Sequence, residues 1–600
     1  MASRELAVDT LNRDEVVAFW HAVHQASEGY QTRVGWTGTF PNDPGTTSAA
    51  FVGDVERRIN YFRAMSGVPA SVRVNSGSQV VIKGADRFKP APNLMKSAAC
   101  QSAAMMLVAS YDPKIGTVSG MSHDPDPGVP KWSPAAWNAA ANSNLAFGTF
   151  GPGSINEYVV EELLAKTVTS EWNVLVGHRR WLLTSDSTDF ASGDYPGESA
   201  FHPPTNVLYV VQRSEEVAPL PESPFVSYPP KGFFPSSLNG RFWSLSRKGA
   251  DFSAATVQIT DAAGAKVPIL AVRKDSSYGE PAIIWQVGGA AAERSVTADR
   301  RFRVSVQGIQ GVGVPSDYQY DVTLISPALL RRVSPISGPG KAKPGSKVKL
   351  QIKPIAGARK SRVVHYQRAG KRWVEGGEGL KPDVIDRTSP IYPLLATSAG
   401  AVGAGAITGS KSFNLTFPQI YDLIARGVPQ QIMELGPWIY TKTGSTLEFQ
   451  YRRGLMSDAT HMVVEVSGDQ GNTWKGVGKP IKGYAEAKPD METFRATYKL
   501  PKSKKPLRVR FRYFYAVNGG PLTSHLDQPG FPTGIFLDEI KLVNCERLIP
   551  KKTQNVKRAS FVFRVPKKAK PQVRWAFGLE SEFGGPWLQT GPFKMVRVVK

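Results

Sequence analysis

The sequence predicts an α+β domain followed by a series of all-β sandwich and jelly-roll domains. Three observations carry this. The 600 residues exceed what one hydrophobic core sustains, so several domains are expected. Apolar residues recur at helical spacing only in the first third of the chain. After a Pro-rich stretch at 216–235, short runs alternate apolar and polar residues between turns containing Gly or Pro, the pattern of half-buried strands. A hydrophobic content of 41% places the chain among globular rather than disordered sequences.

The N-terminal elements follow in order. Residues 14–25 have helical apolar spacing with Asp14 and Glu15 at the start. His21 and His24 stand three apart there, a spacing open to a metal but without a third ligand nearby, so a solvated helix face is expected. Phe51 to Met65 reads as an amphipathic helix carrying Arg57, Arg58 and Arg63, stopped by Gly67-Val68-Pro69. An Ala- and Met-rich core helix covers about 94–110, a small-residue helix Pro134 to Asn142, and another helix roughly 154–169. Gly177-His178-Arg179-Arg180-Trp181-Leu182-Leu183 then joins a histidine and two arginines to an apolar run, which puts His178 at the mouth of a core. Thr205 to Val211 is a strand, and helices flanking a few strands make an α+β sandwich.

The two cysteines, Cys100 and Cys545, are too few for a disulfide framework or a cysteine zinc cluster. No run of apolar residues is long enough to span a membrane, so no transmembrane segment is expected. The start Met-Ala-Ser-Arg-Glu-Leu has no apolar signal core, so either the protein stays inside or a signal peptide has been removed.

Five motifs stand in a telling order: Arg58-Ile59-Asn60-Tyr61-Phe62-Arg63-Ala64-Met65-Ser66-Gly67-Val68-Pro69, the Ala-rich helix, Ser122-His123, Asn142-Ser143-Asn144-Leu145, and Gly177 to Leu183. Over about residues 15–212 this order resembles the CAP (SCP/Tpx-1/Ag5/PR-1) superfamily, in its bacterial secreted branch. The resemblance implies an α-β-α sandwich with a cleft holding two histidines and two acids. His123 and His178 match the histidines. Ser143 stands where the first acid belongs, before Asn144, and the second acid falls at Glu161, with Glu162 competing. Two imidazoles facing one cleft are candidate zinc ligands, with water completing the shell. A missing carboxylate weakens any acid–base mechanism, which wants two groups of different pKa. As in other members, such a cleft would take a small apolar ligand or a peptide.

Charge divides the remainder. Residues 1–330 hold 28 Lys+Arg and 31 Asp+Glu, whereas residues 331–600 hold 46 and 19, so the net charge of +24 belongs to the C-terminal part. That part would gather anionic surfaces or acidic polysaccharide. No aromatic RNP strand or paired Cys/His finger accompanies it, so specific nucleic-acid binding is not expected.

Within residues 236–328, strand signals at Thr256–Thr260, Ile283–Val287, Phe302–Val306 and Tyr318–Leu324 suggest an immunoglobulin-like sandwich. Residues 331–404 form a basic β segment and linker. In 405–548, Thr446–Tyr451 alternates and His461–Val466 leads into Ser467-Gly468-Asp469-Gln470-Gly471-Asn472-Thr473-Trp474, which matches the Asp-box pattern. There the aspartate accepts turn amides, glycine supplies a positive φ and tryptophan covers the hairpin. Together with Leu507–Tyr515 and Ile535–Leu542 these signals resemble a MAM-like or concanavalin-like jelly roll. Asp538 is either a structural edge acid or a ligand for calcium. Residues 549–600 look like a basic, fibronectin-like segment, too short for a sandwich of its own, and whether it pairs with 331–384 stays open.

The domain plan is therefore a CAP-like domain with a helical N-terminal extension (1–215), a Pro-rich linker (216–235), an Ig-like sandwich (236–328), the basic segment (331–404), the jelly roll (405–548) and the final segment (549–600). The leading expectation is a secreted or cell-surface, non-catalytic binding or adhesion protein of a bacterial envelope or matrix. The alternatives are a metal-assisted hydrolase acting on peptide or glycan, and a structural protein of a surface assembly.

Overall fold

The computed structural model describes residues 5–27, 30–82, 86–112, 114, 117–161, 174–197, 202–211, 224–277, 279–294, 296, 299–325, 334–353, 360–370, 372–378, 383–386, 396–399, 407–409, 411–415, 430–469, 471, 473–485, 489–490, 492–515, 534–556, 559–569, 574–582, 588–589 and 593–599. They fall into two compact units, residues 1–16 with 23–326 and residues 17–22 with 327–600. Strands dominate, and no described helix is long and apolar enough to cross a membrane.

The first unit begins with an α/β part. Helix Ala49–Met65 starts where the Ser48 hydroxyl accepts the Phe51 amide at 3.2 Å, and helix Pro134–Ala141 where Ser133 accepts the Ala136 amide at 3.1 Å. Four strands form a sheet in the order Arg73–Val74, Asp189–Tyr195, Thr205–Tyr209, Ser143–Phe147, which leaves Ser143–Phe147 at an edge. Side chains of Thr205–Tyr209 alternate between the two faces. Thr205 Oγ1 donates to Ala104 O of helix Lys96–Ala109 at 2.8 Å, whereas its neighbour Asn206 accepts at Oδ1 from the Tyr158 hydroxyl of helix Pro152–Val160 at 2.8 Å. Helices therefore cover both faces of this sheet. Helix Lys96–Ala109 lies so close to the sheet that a Cβ on Gly193 would stand 2.1 Å from the Cys100 carbonyl carbon, and only glycine fits.

The helix expected over 154–169 ends at Val160, because Glu161 turns left-handed with φ 58°; residues 162–173 lie outside the described residues. His24 does not face solvent. It is buried, and its Nε2 stands 3.3 Å from Asn156 Oδ1. The His21 side chain lies outside the described residues.

The second part of the first unit is a β-sandwich. One sheet runs Thr256–Asp261, Arg300–Gln307, Asp317–Ile325, Gly232–Pro235, and the other Ile269–Asp275, Ala282–Val287, Phe242–Ser246, Val226–Tyr228. Trp243 and Trp285 are fully buried, and Trp243 meets Phe302 of the opposite sheet edge-on at 6.0 Å. Residues 226–228 and 232–235 thus belong to the sandwich rather than to the Pro-rich linker. Prolines sit at sheet edges without losing a ladder bond, so proline content alone misplaces this boundary.

In the second unit, a five-stranded sheet runs Val384–Asp386, Gln430–Leu435, Arg508–Tyr515, Thr460–Ser467, Lys475–Lys482. Its Phe511 meets Phe449 of strand Ile439–Arg453 at 5.1 Å. Strand Ile535–Asn555 is 21 residues long. Its first part pairs with Lys411–Leu415 and Ile439–Arg453, and its end pairs with Lys360–Ala369. The strand runs unbroken through position 548, where a boundary was expected; one element serves both neighbouring cores. Lys360–Ala369 also pairs with Arg574–Glu582, and Lys347–Ile352 pairs with Ser560–Arg564, so residues 331–384 and 549–600 contribute strands to the same sheets.

Candidate functional site

His178 sits on the short helix Gly177–Leu182, which begins after the left-handed Val176 at φ 48°. Three buried arginines fix this helix. Arg63 gathers carbonyls at and beyond its C-terminal end, donating from Nη1 to Leu182 O at 2.8 Å and Thr184 O at 2.9 Å, and from Nη2 to Ser187 O at 3.1 Å. Burial lowers the Arg63 pKa to about 10, so it stays a cation. Arg179 donates from Nε to Val159 O at 2.5 Å, from Nη1 to Phe242 O at 2.8 Å and Ser244 Oγ at 3.1 Å, and from Nη2 to Val160 O at 3.1 Å. Arg180 pairs with Asp275 at 2.5 Å and donates from Nη2 to Glu280 O at 2.9 Å. Helix and following sandwich are thereby one packed body.

Glu161, at the end of helix Pro152–Val160, is buried and meets this helix. Its Oε1 accepts the Arg179 amide at 3.0 Å and stands 3.4 Å from His178 Nδ1. Its Oε2 is also buried and has no hydrogen-bond partner among the described residues. The Tyr158 ring lies 5.2 Å from the imidazole, and Asn144 Nδ2 donates to His178 O at 3.2 Å. Glu162 lies outside the described residues.

His123 comes from the loop before helix Pro134–Ala141, and its Nδ1 stands 2.8 Å from Ala140 O. Burial holds its pKa below the usual histidine value; the Ala140 carbonyl opposes this, and the charge of His178 depresses it further. The two imidazoles therefore lie within electrostatic reach of each other.

Ser143 does not join them. It is buried beside the Cys100 thiol, whose pKa burial raises to about 12. Strand geometry explains the difference: neighbouring side chains point to opposite faces, so Asn144 reaches the His178 helix while Ser143 faces helix Lys96–Ala109.

Among the described residues, no group of three or more His, Cys, Asp or Glu could hold a metal ion. Glu161 and Ala140 O stand at the Nδ1 atoms of His178 and His123, contacts that orient each imidazole and leave Nε2 as its other ring nitrogen. Asp538 does not suit calcium. Its Oδ2 accepts from Thr408 N at 2.7 Å, Thr408 Oγ1 at 2.8 Å and Ser412 Oγ at 3.1 Å, and its Oδ1 accepts from Glu539 N at 2.6 Å. Calcium needs oxygen ligands around it, and this carboxylate is surrounded by donors.

In the second unit, Asp469 accepts at Oδ1 from Thr473 N at 2.9 Å and Ser467 Oγ at 2.7 Å, and at Oδ2 from Thr473 Oγ1 at 2.6 Å. Gly471 adopts φ 99°, and Trp474 Nε1 donates to Gly471 O at 3.1 Å. The aspartate is consumed by its turn.

Sequence reasoning missed the role of Arg179 and Arg180. The available signal was two adjacent arginines followed at once by an apolar run, because a guanidinium inside a core must find acceptors.

No family model matches the chain, and no curated protein matches it. Solved structures that resemble it in part include a carbohydrate-binding module of the β-sandwich superfamily (9% identity, 50% of this chain and 91% of that one, TM-score 0.17). SGBP-B of the Bacteroides ovatus mixed-linkage glucan utilization locus, in complex with a mixed-linkage heptasaccharide, matches at 11% identity over 50% of this chain and 72% of its own (TM-score 0.11). An Arthrobacter globiformis isomalto-dextranase complexed with panose matches at 9% identity over 50% and 35% (TM-score 0.13). At such TM-scores neither fold nor ligand passes from them to this chain.

Proposed function

We propose that this chain is a secreted, non-catalytic binding protein of a bacterial envelope or extracellular matrix, with a CAP-like head whose cleft is lined by His123, His178, Asn144 and Glu161. The observation that carries the reading is that, among the described residues, Glu161 alone brings a carboxylate to His178. Glu161 stands at His178, while Ser143, at the position of the first acid, faces Cys100 on the other side of the sheet. General acid–base chemistry wants two groups tuned apart, and the one present already accepts a backbone amide. The order of the five motifs and the sheet covered on both faces by helices support the CAP-like assignment. A small apolar ligand or a peptide suits the cleft. The basic residues of 331–600 suit attachment to an anionic surface or polysaccharide, and the turn at Asp469 suits an Asp box in a jelly-roll module.

A fluorescent fatty acid tests the cleft. The wild type binds it saturably, a His123→Ala/His178→Ala double variant binds it more weakly, and zinc stays substoichiometric in both. Stoichiometric zinc, lost in the double variant together with peptide or glycan hydrolysis, would establish a metal-assisted hydrolase instead. Attachment by the basic half predicts retention on a heparin column that collapses as ionic strength rises.

A further inference from the structure

A second concave site lies on the sandwich of the first unit, apart from the His178 cleft and independent of its reading. Strands Arg300–Gln307 and Asp317–Ile325 pair so that Arg303 faces Asp321 and Arg301 faces Thr323 across the ladder. On this solvent face, Arg301, Arg303 and Asp321 meet Phe233 from the neighbouring strand Gly232–Pro235. The N-terminal segment closes one side. Phe233 N donates to Thr10 O at 2.7 Å, and a Cβ on Gly232 would stand 2.2 Å from that same oxygen, so glycine is what lets the segment dock. Leu11 and Lys231 complete a groove of about 430 Å³.

Its charge is unbalanced. Lys231, Arg301 and Arg303 face one carboxylate, in a part of the chain whose acids outnumber its basic residues. Asp321 accepts one N–H from Arg301 and two from Arg303, at 3.0 and 3.4 Å for the latter. A guanidinium carries five donors. Asp321 therefore holds both forks in place and leaves donors over. Side by side, two guanidinium planes recognise a planar or tetrahedral oxyanion bidentately. Gln319 and Thr323 add an amide and a hydroxyl, and Phe233 and Leu11 add apolar wall against which the C–H face of a sugar ring packs.

We propose that this groove binds an acidic saccharide, with a carboxylate or sulfate on Arg301 and Arg303 and the ring against Phe233 and Leu11. Three probes test it on the full chain: a sulfated disaccharide, a uronate disaccharide and the neutral parent disaccharide. The acidic probes protect Arg301 and Arg303 from phenylglyoxal, read by mass spectrometry of the peptides carrying them, and the neutral one does not. The stronger protector of the first two identifies the anion. Arg301→Gln/Arg303→Gln weakens binding of the acidic probe by about tenfold or more, with unchanged melting because both side chains are exposed. Equal protection by the neutral probe, no protection by either acid, or protection confined to the arginines of 331–600 would overturn the proposal. The protection experiment needs no variant, so it decides even if the double substitution perturbs folding.

Discussion

The guanidinium of Arg179 lies over the ring of Tyr228, 4.1 Å from its centroid, with the helix that bears His178 on one side and a strand of the following sandwich on the other. A cation buried this deeply pairs with carbonyls of both parts at once, and its stacking on tyrosine adds a cation–π attraction. The helix that bears His178 is thus braced by the following sandwich.

Arg179→Met keeps apolar bulk against Tyr228 and removes every donor. Buried carbonyls of Val159, Val160 and Phe242 lose that partner. The expected loss is roughly 3 kcal/mol or more by urea unfolding, since each orphaned buried acceptor costs about 1–3 kcal/mol. A loss below about 1 kcal/mol would contradict the bracing role.

Asp194 predicts a pH dependence for the first unit. Burial raises its pKa to about 6 against the donors Ser192, Gly151 and Asn206. The native state therefore holds a proton that the unfolded chain releases near pH 4, and stability falls as pH rises from about 4 to about 6. Across that window the loss amounts to about 3 kcal/mol. Asp194→Asn should flatten this window in urea titrations; an unchanged slope would refute it.

His365 predicts the opposite slope in the second unit. It is packed among Phe563, Trp575 and Phe577, and burial, with the nearby Lys552 charge, lowers its pKa to about 4. Here the unfolded chain binds the proton first, so stability falls as pH drops from about 6.5 towards about 4. His365→Phe should remove that loss, measured by urea unfolding at pH 7 and pH 5.

Asp469→Ala removes the acceptor of Thr473 N, Thr473 Oγ1 and Ser467 Oγ. The expected cost is about 1–2 kcal/mol, with no change in any binding activity, because the carboxylate serves only its turn. Loss of carbohydrate or cation binding at unchanged stability would assign it a functional role instead.

Much of this was legible locally. Alternation marks Val348–Ile355 and Thr446–Tyr451 as strands because one face is buried and the other wet, and the structure places the first at Lys347–Ile352. Apolar spacing marks the helices near Phe51–Met65 and Pro134–Asn142, whereas the Ser48 and Ser133 hydroxyls that cap them emerge in the structure. The turn at Asp469 is readable because donors and acceptors lie within a few residues of each other.

What stayed hidden depends on residues far apart in the chain. Only the sheet decides that Asn144 reaches the His178 helix while Ser143 turns to Cys100, since a motif fixes positions in order but not the face each presents. Only the packed core makes His24 a buried partner of Asn156, and only long-range pairing joins Lys347–Ile352 to Ser560–Arg564. By itself the sequence determined that helices come first and strands follow, and where charge accumulates. Tertiary structure decided which of those residues meet, because period-two alternation and loop closure are settled by the partners an element finds, not by its own residues.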